Sequence, residues 1–145
     1  MANNNSSDES ILNPTIVVAG GNTSKNNLLT FNTASQLSVK LTGSSNYPIW
    51  KAQVTTLLYG YDLMGYIDGS YPCPPMLLQQ NKDTTILNPE YKLWTRQDNL
   101  LRNAIMASVD ATIAPTVASA TSAQQAWVSL NTTYSTISCK NSHGK

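Results

Sequence analysis

Charge is scarce in this sequence. Asp, Glu, Lys and Arg make up 12% of its 145 residues, about half the ~25% of an ordinary globular domain. The formal net charge is +1. Bulk charge therefore offers no field for nucleic acid, an anionic membrane or an acidic partner, and it does little to oppose self-association. Cysteine is as sparse. Cys73 and Cys139 cannot build a disulfide framework, and two free thiols in a reducing compartment are expected. The one histidine, His143, lies in a polar C-terminal stretch, a poor place for acid–base work. The spacing Cys139-x3-His143 supplies half a zinc site at most. No run reaches the ~18 apolar residues of a membrane span. MANNNSSDES has neither the basic nor the apolar region of a secretory signal, so a cytoplasmic location is expected. The patterns GxxxxGK[ST], GxGxxG and GxSxG are missing. Asp62 and Asp68 read as a helix cap and an Asp-Gly turn. No enzyme activity, cofactor, metal or small-molecule substrate is expected.

Hydrophobic residues are present in ordinary supply, at 41%, enough for the core of one domain plus a tail. Residues 1–36 are rich in Asn, Ser and Thr, contain Gly20-Gly21 and show little periodicity. They read as a disordered leader, unable to bury enough apolar area to offset the entropy of ordering. Leu37–Leu41 alternates apolar and polar residues, the period of a half-buried strand. With no pairing partner in view, it is expected to lie extended against a helical body.

Three helical stripes follow. After Asn46 as N-cap and Pro48 in the first turn, Trp50, Val54, Leu57, Leu58 and Tyr61 recur at helical spacing. Gly60 permits a break. Leu63, Met64, Tyr66 and Ile67 suggest a short helical turn ended by Asp68-Gly69. Residues 70–87 read as a connector, because Pro72, Pro74 and Pro75 forbid a helix interior. Asn88-Pro89 then caps and opens the strongest helix, with Glu90 favoured by the macrodipole. Its apolar side holds Leu93, Trp94, Leu100, Leu101, Ala104 and Ile105. Lys92, Arg96 and Arg102 give it a mild basic face. Asp110–Ala114 reads as a capped turn, stopped or restarted by Pro115. Thr121-Ser-Ala-Gln124 reads as a capping box, opening a helix that aligns Ala123, Trp127, Leu130 and Tyr134.

The expected fold is all-α: a small bundle of three principal amphipathic helices with one or two short ones, preceded by a short extended segment. The helical domain spans residues 37–137, and residues 138–145 are a frayed tail. Its core is Trp50, Val54, Leu57, Leu58, Trp94, Leu101, Ile105, Trp127 and Leu130, with the three indoles meeting in one place. Tyr59, Tyr61, Tyr66 and Tyr71 cluster around the first helix and the loop after it. They read as core edge, or as an interaction patch if exposed.

Three blocks carry a family resemblance. They are Val39–Pro75 (VKLTGSSNYPIWKAQVTTLLYGYDLMGYIDGSYPCPP), Asn88–Asp110 (NPEYKLWTRQDNLLRNAIMASVD) and Ala120–Ser135 (ATSAQQAWVSLNTTYS). In order and spacing the sequence resembles the copia-like N-terminal domain of the Gag polypeptide of copia-type LTR retrotransposons, common in plants. The matching pieces are a KLxGxNYxxW opening, a GY-L-G-ID/VDG turn, a PCPP loop, an NPxYxxWxRQD helix start and a T-A-x-x-xW helix. The resemblance implies a helical, capsid-like region that works by self-association with other Gag chains and by packaging element RNA. In the family the chain continues into further helices and often a Cys-x2-Cys-x4-His-x4-Cys knuckle. Here it ends at Lys145, so the expectation is the N-terminal helical portion, without the knuckle. The alternative is a small protein-interaction or RNA-binding module, in which Lys92, Arg96 and Arg102 would give weak contact with RNA.

Overall fold

Each of the three apolar stripes forms a helix in the computed structural model, which describes residues 27–143, with side chains through Ser135. In chain order the helices are α1 (Thr33–Gln36), α2 (Tyr47–Gly60), α3 (Gly65–Asp68), α4 (Pro89–Ala107), α5 (Ala114–Ala118) and α6 (Ala123–His143). A 3-10 turn at Ser44–Asn46 leads into α2. Strands β1 (Leu77–Asn81) and β2 (Thr84–Leu87) form an antiparallel hairpin between α3 and α4.

The hairpin corrects the all-α expectation. The fold is mixed, mostly helical with one two-stranded sheet. All nine strand residues are exposed, so no buried face imposes the alternation that announces a strand. Leu77-Leu78 and Ile86-Leu87 instead set apolar residues side by side. The remaining signals are the β-branched run Thr84-Thr85-Ile86 and the turn before it, where Asn81 Oδ1 accepts the Asp83 amide at 3.1 Å.

Helix α6 is the central support. It packs on α3, α4 and α5, and more narrowly on α2. Trp50, Leu41, Ile67, Leu101, Ile105, Val117 and Leu130 are fully buried where these elements meet. Helix α2 contributes Tyr47, Trp50, Val54 and Leu58, a stripe of spacing three and four. The segment Leu37–Leu41 packs against the helices with bends at Leu37 and Val39, and finds a pairing partner at Leu41 alone. Leu41 forms a parallel bridge with Val109: its amide donates to Ser108 O at 2.9 Å, and its carbonyl accepts the Asp110 amide at 2.9 Å.

Two glutamines hold non-helical backbone to helices with paired hydrogen bonds. Gln53 Oε1 accepts the Val39 amide and Gln53 Nε2 donates to the Val39 carbonyl, both at 2.9 Å. Gln97 does the same to Leu29, again at 2.9 Å. Each side-chain amide acts as one rung of a sheet and satisfies a donor and an acceptor together. The Gln97 clasp, with Leu29 and Phe31 packed on the core, starts the packed body before Leu37. Of the leader expected over residues 1–36, residues 1–26 lie outside the described residues, and Thr33–Gln36 is helical. At the other end α6 is helical through His143, where a frayed tail is expected from Ser138. The side chains of Cys139 and His143 lie outside the described ones.

Local signals differ from expectation in three places. Asn46 does not cap α2. Its Oδ1 accepts the Thr42 amide at 2.9 Å and its Nδ2 donates to the Lys40 carbonyl at 2.8 Å, bracing the turn before the helix. The break after α2 falls at Asp62, with φ 60°, and not at Gly60. The cap of α6 sits one residue later than the Thr121–Gln124 box. Ser122 Oγ accepts the Gln125 amide at 3.1 Å, while Gln125 Oε1 reaches back to the Thr121 amide and hydroxyl. Asn88 and Pro89 act as expected: Asn88 Oδ1 accepts the Glu90 amide at 3.0 Å. Pro115 restarts the chain as α5.

Candidate functional site

The short helix α3 and the proline loop after it are placed by two glycines. A Cβ on Gly65 would stand 2.8 Å from Tyr71 Cβ, and the Gly65 carbonyl accepts the Tyr71 amide at 3.0 Å. Only a missing side chain allows that approach. Gly69 has φ 85°, and a Cβ there would sit 3.0 Å from Gln124 Nε2. Asp68 Oδ1 closes the turn by accepting the Ser70 amide at 2.8 Å, and hydrogen bonding from the Ser70 side chain, then from its amide, holds the Asp68 carboxyl below the ordinary range. The loop is then fastened to α4 at both ends. Trp94 Nε1 donates to Tyr71 O at 3.0 Å. Buried Asn88 donates from Nδ2 to Pro75 O at 2.8 Å, and its amide donates to Met76 O at 2.7 Å.

Between this loop, α4 and the start of α6 lies a cleft of about 480 Å³. Tyr66, Tyr71, Tyr91 and Trp94 supply its aromatic walls, and Asp98 lies among the lining residues. Tyr66 and Trp94 are 5.3 Å apart between centroids with planes tilted 32°, and Tyr71 meets Tyr66 edge-on at 5.1 Å. Asp98 is buried, and its two carboxylate oxygens accept the Ala123 amide at 3.1 and 3.3 Å. Burial raises its pKa; the Ala123 amide and the more distant Arg102 charge only partly offset this. Burial also drives the Tyr66 hydroxyl well above its usual range, aided by Tyr71 and by the negative Asp98. Cys73, an exposed free thiol at the rim, is raised by partial desolvation and by Asp98.

The hairpin follows this loop directly. Leu77 pairs with Leu87 and Leu78 with Ile86, so each face of the ribbon carries an apolar pair. Leu77 is 55% and Leu87 49% exposed, with Met76 beside them at 50%. The charged Lys82 and Asp83 stand at the turn, and neither strand has a charge along its length.

Of the expected core, Trp50, Val54, Leu58, Trp94, Leu101, Ile105 and Leu130 are buried, while Leu57 and Trp127 are partly buried against them. The indoles divide into two groups. Trp50 and Trp127 lie 5.5 Å apart, and Trp94 stacks on Tyr66 instead. On the basic face Lys92 and Arg96 are exposed. Arg102 is committed to the fold: Nη1 donates to the Ala120 carbonyl and Nη2 to Asn99 Oδ1, the latter at 3.1 Å. The tyrosine cluster also divides. Tyr59 is 67% exposed, Tyr66 is buried, and Tyr71 walls the cleft. Asp98, although it closes the NPxYxxWxRQD motif, and the hairpin of β1 and β2 were not among the expected site residues. No helix among the described residues is long and apolar enough to cross a membrane.

The turn, the proline loop, the Asn88 helix start and the cap of α6 thus converge on one cleft, as parts of a single helical polypeptide unit of the kind the sequence blocks imply. The chain belongs to the family of gag-polypeptides of LTR copia-type, whose model matches residues 54–142. It is similar to two retrovirus-related Pol polyproteins of Arabidopsis thaliana. It is 41% identical to that of transposon RE2 over 95 residues, covering 66% of this chain and 6% of the relative. It is 36% identical to that of transposon RE1 over 111 residues, covering 73% of this chain and 8% of the relative. The chain therefore spans less than a tenth of either relative's length. No solved structure matches it.

Proposed function

We propose that this Gag domain is a non-catalytic self-association module, and that two copies meet through the hairpin of β1 and β2. The observation that carries this reading is that both strands are uncharged and that their four apolar residues, Leu77, Leu78, Ile86 and Leu87, are 38–55% exposed. An isolated two-stranded hairpin is marginal in water and gains from further strands or cover. Of the devices that blunt solitary sheet edges, the hairpin has short strands and a register shift between Gln79 and Asn81, but no lysine, proline or charge within either strand. The net charge of +1 sets little repulsion against a second copy. Edge-to-edge pairing of identical strands gives a two-fold interface, the commonest arrangement of homo-oligomers. A capsid-like role in the polyprotein fits such repeated weak contacts.

Hydrogen exchange at several protein concentrations tests the contact site. Exchange at the amides of Leu77–Asn81 and Thr84–Leu87 should slow as concentration rises, while helix α4 stays unchanged. Concentration-independent exchange throughout the hairpin would remove this surface from the interface.

A further inference from the structure

We propose that the cleft bounded by Tyr71–Cys73, helix α4 and the start of helix α6 binds a cationic side chain, a guanidinium or ammonium group presented by a partner polypeptide. The hairpin reading neither requires nor supplies this site.

Of the aromatic lining, Tyr71 and Tyr91 are accessible while Tyr66 and Trp94 are buried against each other, and cations bind over aromatic faces within about 6 Å of the ring centre. The cleft of about 480 Å³ falls in the ~300–1,000 Å³ range of ligand clefts. The inner charge is Asp98, and its presence is otherwise unexplained. As a cap for α6 it makes hydrogen bonds with one amide, that of Ala123. A neutral Asn or Ser serves that purpose, as Asn32, Asn88 and Ser122 do in this same chain. Burying a carboxylate without a cationic partner is costly, and among the described residues no Lys or Arg is ion-paired with it. Arg102, the nearest candidate, spends its guanidinium on Ala120 O and Asn99. A carboxylate has about four lone-pair sites, so Asp98 keeps acceptor capacity beyond the Ala123 amide. Tyr66 lines the same cleft. The resulting pole is negative and desolvated, which selects a cation and repels phosphate.

The probe is N-acetyl-argininamide, titrated into the full chain, with its citrulline analogue as the uncharged isostere. The Trp94 indole N–H and the Ala123 amide are followed by NMR. The arginine derivative should shift both signals saturably, with a dissociation constant on the order of millimolar for so few atoms. The citrulline derivative should shift neither. Asp98→Asn keeps an acceptor for Ala123 and should weaken binding at least about tenfold with an unchanged circular dichroism spectrum. Should that variant not fold, Tyr71→Leu, at an exposed wall position, should weaken binding several-fold. Equal shifts from the citrulline derivative, no saturable shift, or affinity untouched in a folded Asp98→Asn or Tyr71→Leu chain would overturn the proposal. So would uridine monophosphate moving both signals where the arginine derivative does not.

Discussion

Asp98 on α4 caps the first residue of α6, accepting the Ala123 amide across 25 residues of sequence at 3.1 and 3.3 Å. The contact joins the two longest helices and places a charge in the interior. Burial raises the Asp98 pKa above its ordinary 3.8. The folded chain therefore holds this proton more tightly than the unfolded one. The contribution of Asp98 to stability is greatest below 3.8 and declines as pH rises through the window up to the folded value. Asp98→Asn removes the titration. Urea unfolding of both chains from about pH 3 upward should show the stability of wild type minus variant falling with pH. Asp68 and Asp110 are lowered and shift stability the other way, but they are common to both chains and cancel. A difference that rises with pH would contradict the assignment.

Trp50 carries more of the core than Trp127. It is fully buried, and its Nε1 donates to Ser108 Oγ at 3.1 Å, which in turn donates to Ile105 O at 2.8 Å. Trp50→Ala should cost about 3–5 kcal/mol. Trp50→Phe keeps a ring but strands the Ser108 oxygen, at about 1–3 kcal/mol. Trp127→Ala, from a partly buried position, should cost less than Trp50→Ala. Denaturant midpoints rank the three variants, and equal losses for both alanine variants would refute the ordering.

The Gln97 clasp on Leu29 sets where the packed body begins. Gln97→Leu deletes both 2.9 Å hydrogen bonds and should release residues 27–32, while Leu37 and Leu41 stay buried. Limited proteolysis should then cut before Thr33 faster than in wild type. An unchanged digestion pattern would mean that Phe31 packing alone holds the segment.

Gly69 and Gly60 predict opposite signs. Gly69→Ala forces a left-handed φ of 85° on an L side chain and presses Gln124, so a loss of about 1–2 kcal/mol is expected. Gly60 ends helix α2 with open space around it, and Gly60→Ala should be neutral or stabilise by about 0.5–1 kcal/mol. Thermal midpoints of the two variants read the contrast directly.

The helices were legible because their apolar residues recur at three and four, as at Trp50, Val54, Leu57 and Leu58, and because Asn88-Pro89 marks a start by local chemistry alone. The hairpin was not, since periodicity reports burial and none of its residues is buried. Asn46 looked like a cap because its type and place suit one, yet its amide is taken by the Lys40–Thr42 backbone. Arg102 looked solvated because it sits among polar residues of the helix. Its partner, the Ala120 carbonyl, belongs to a segment that only tertiary folding brings near. The cleft was half visible. Gly65, Gly69, Pro72, Trp94, Asp98 and Thr121 all stood in the family blocks, but Asp98, the last letter of the NPxYxxWxRQD start, had no role until α6 was placed over it.

Sedimentation velocity over a concentration series tests the self-association reading most directly, comparing wild type with Leu78→Lys/Ile86→Lys. Both positions are exposed, so the double variant should keep its fold and circular dichroism spectrum. Wild type should sediment faster as concentration rises, and the variant should remain a monomer throughout. A wild-type chain that stays monomeric at the highest concentration, or a folded variant that associates as wild type does, would contradict it.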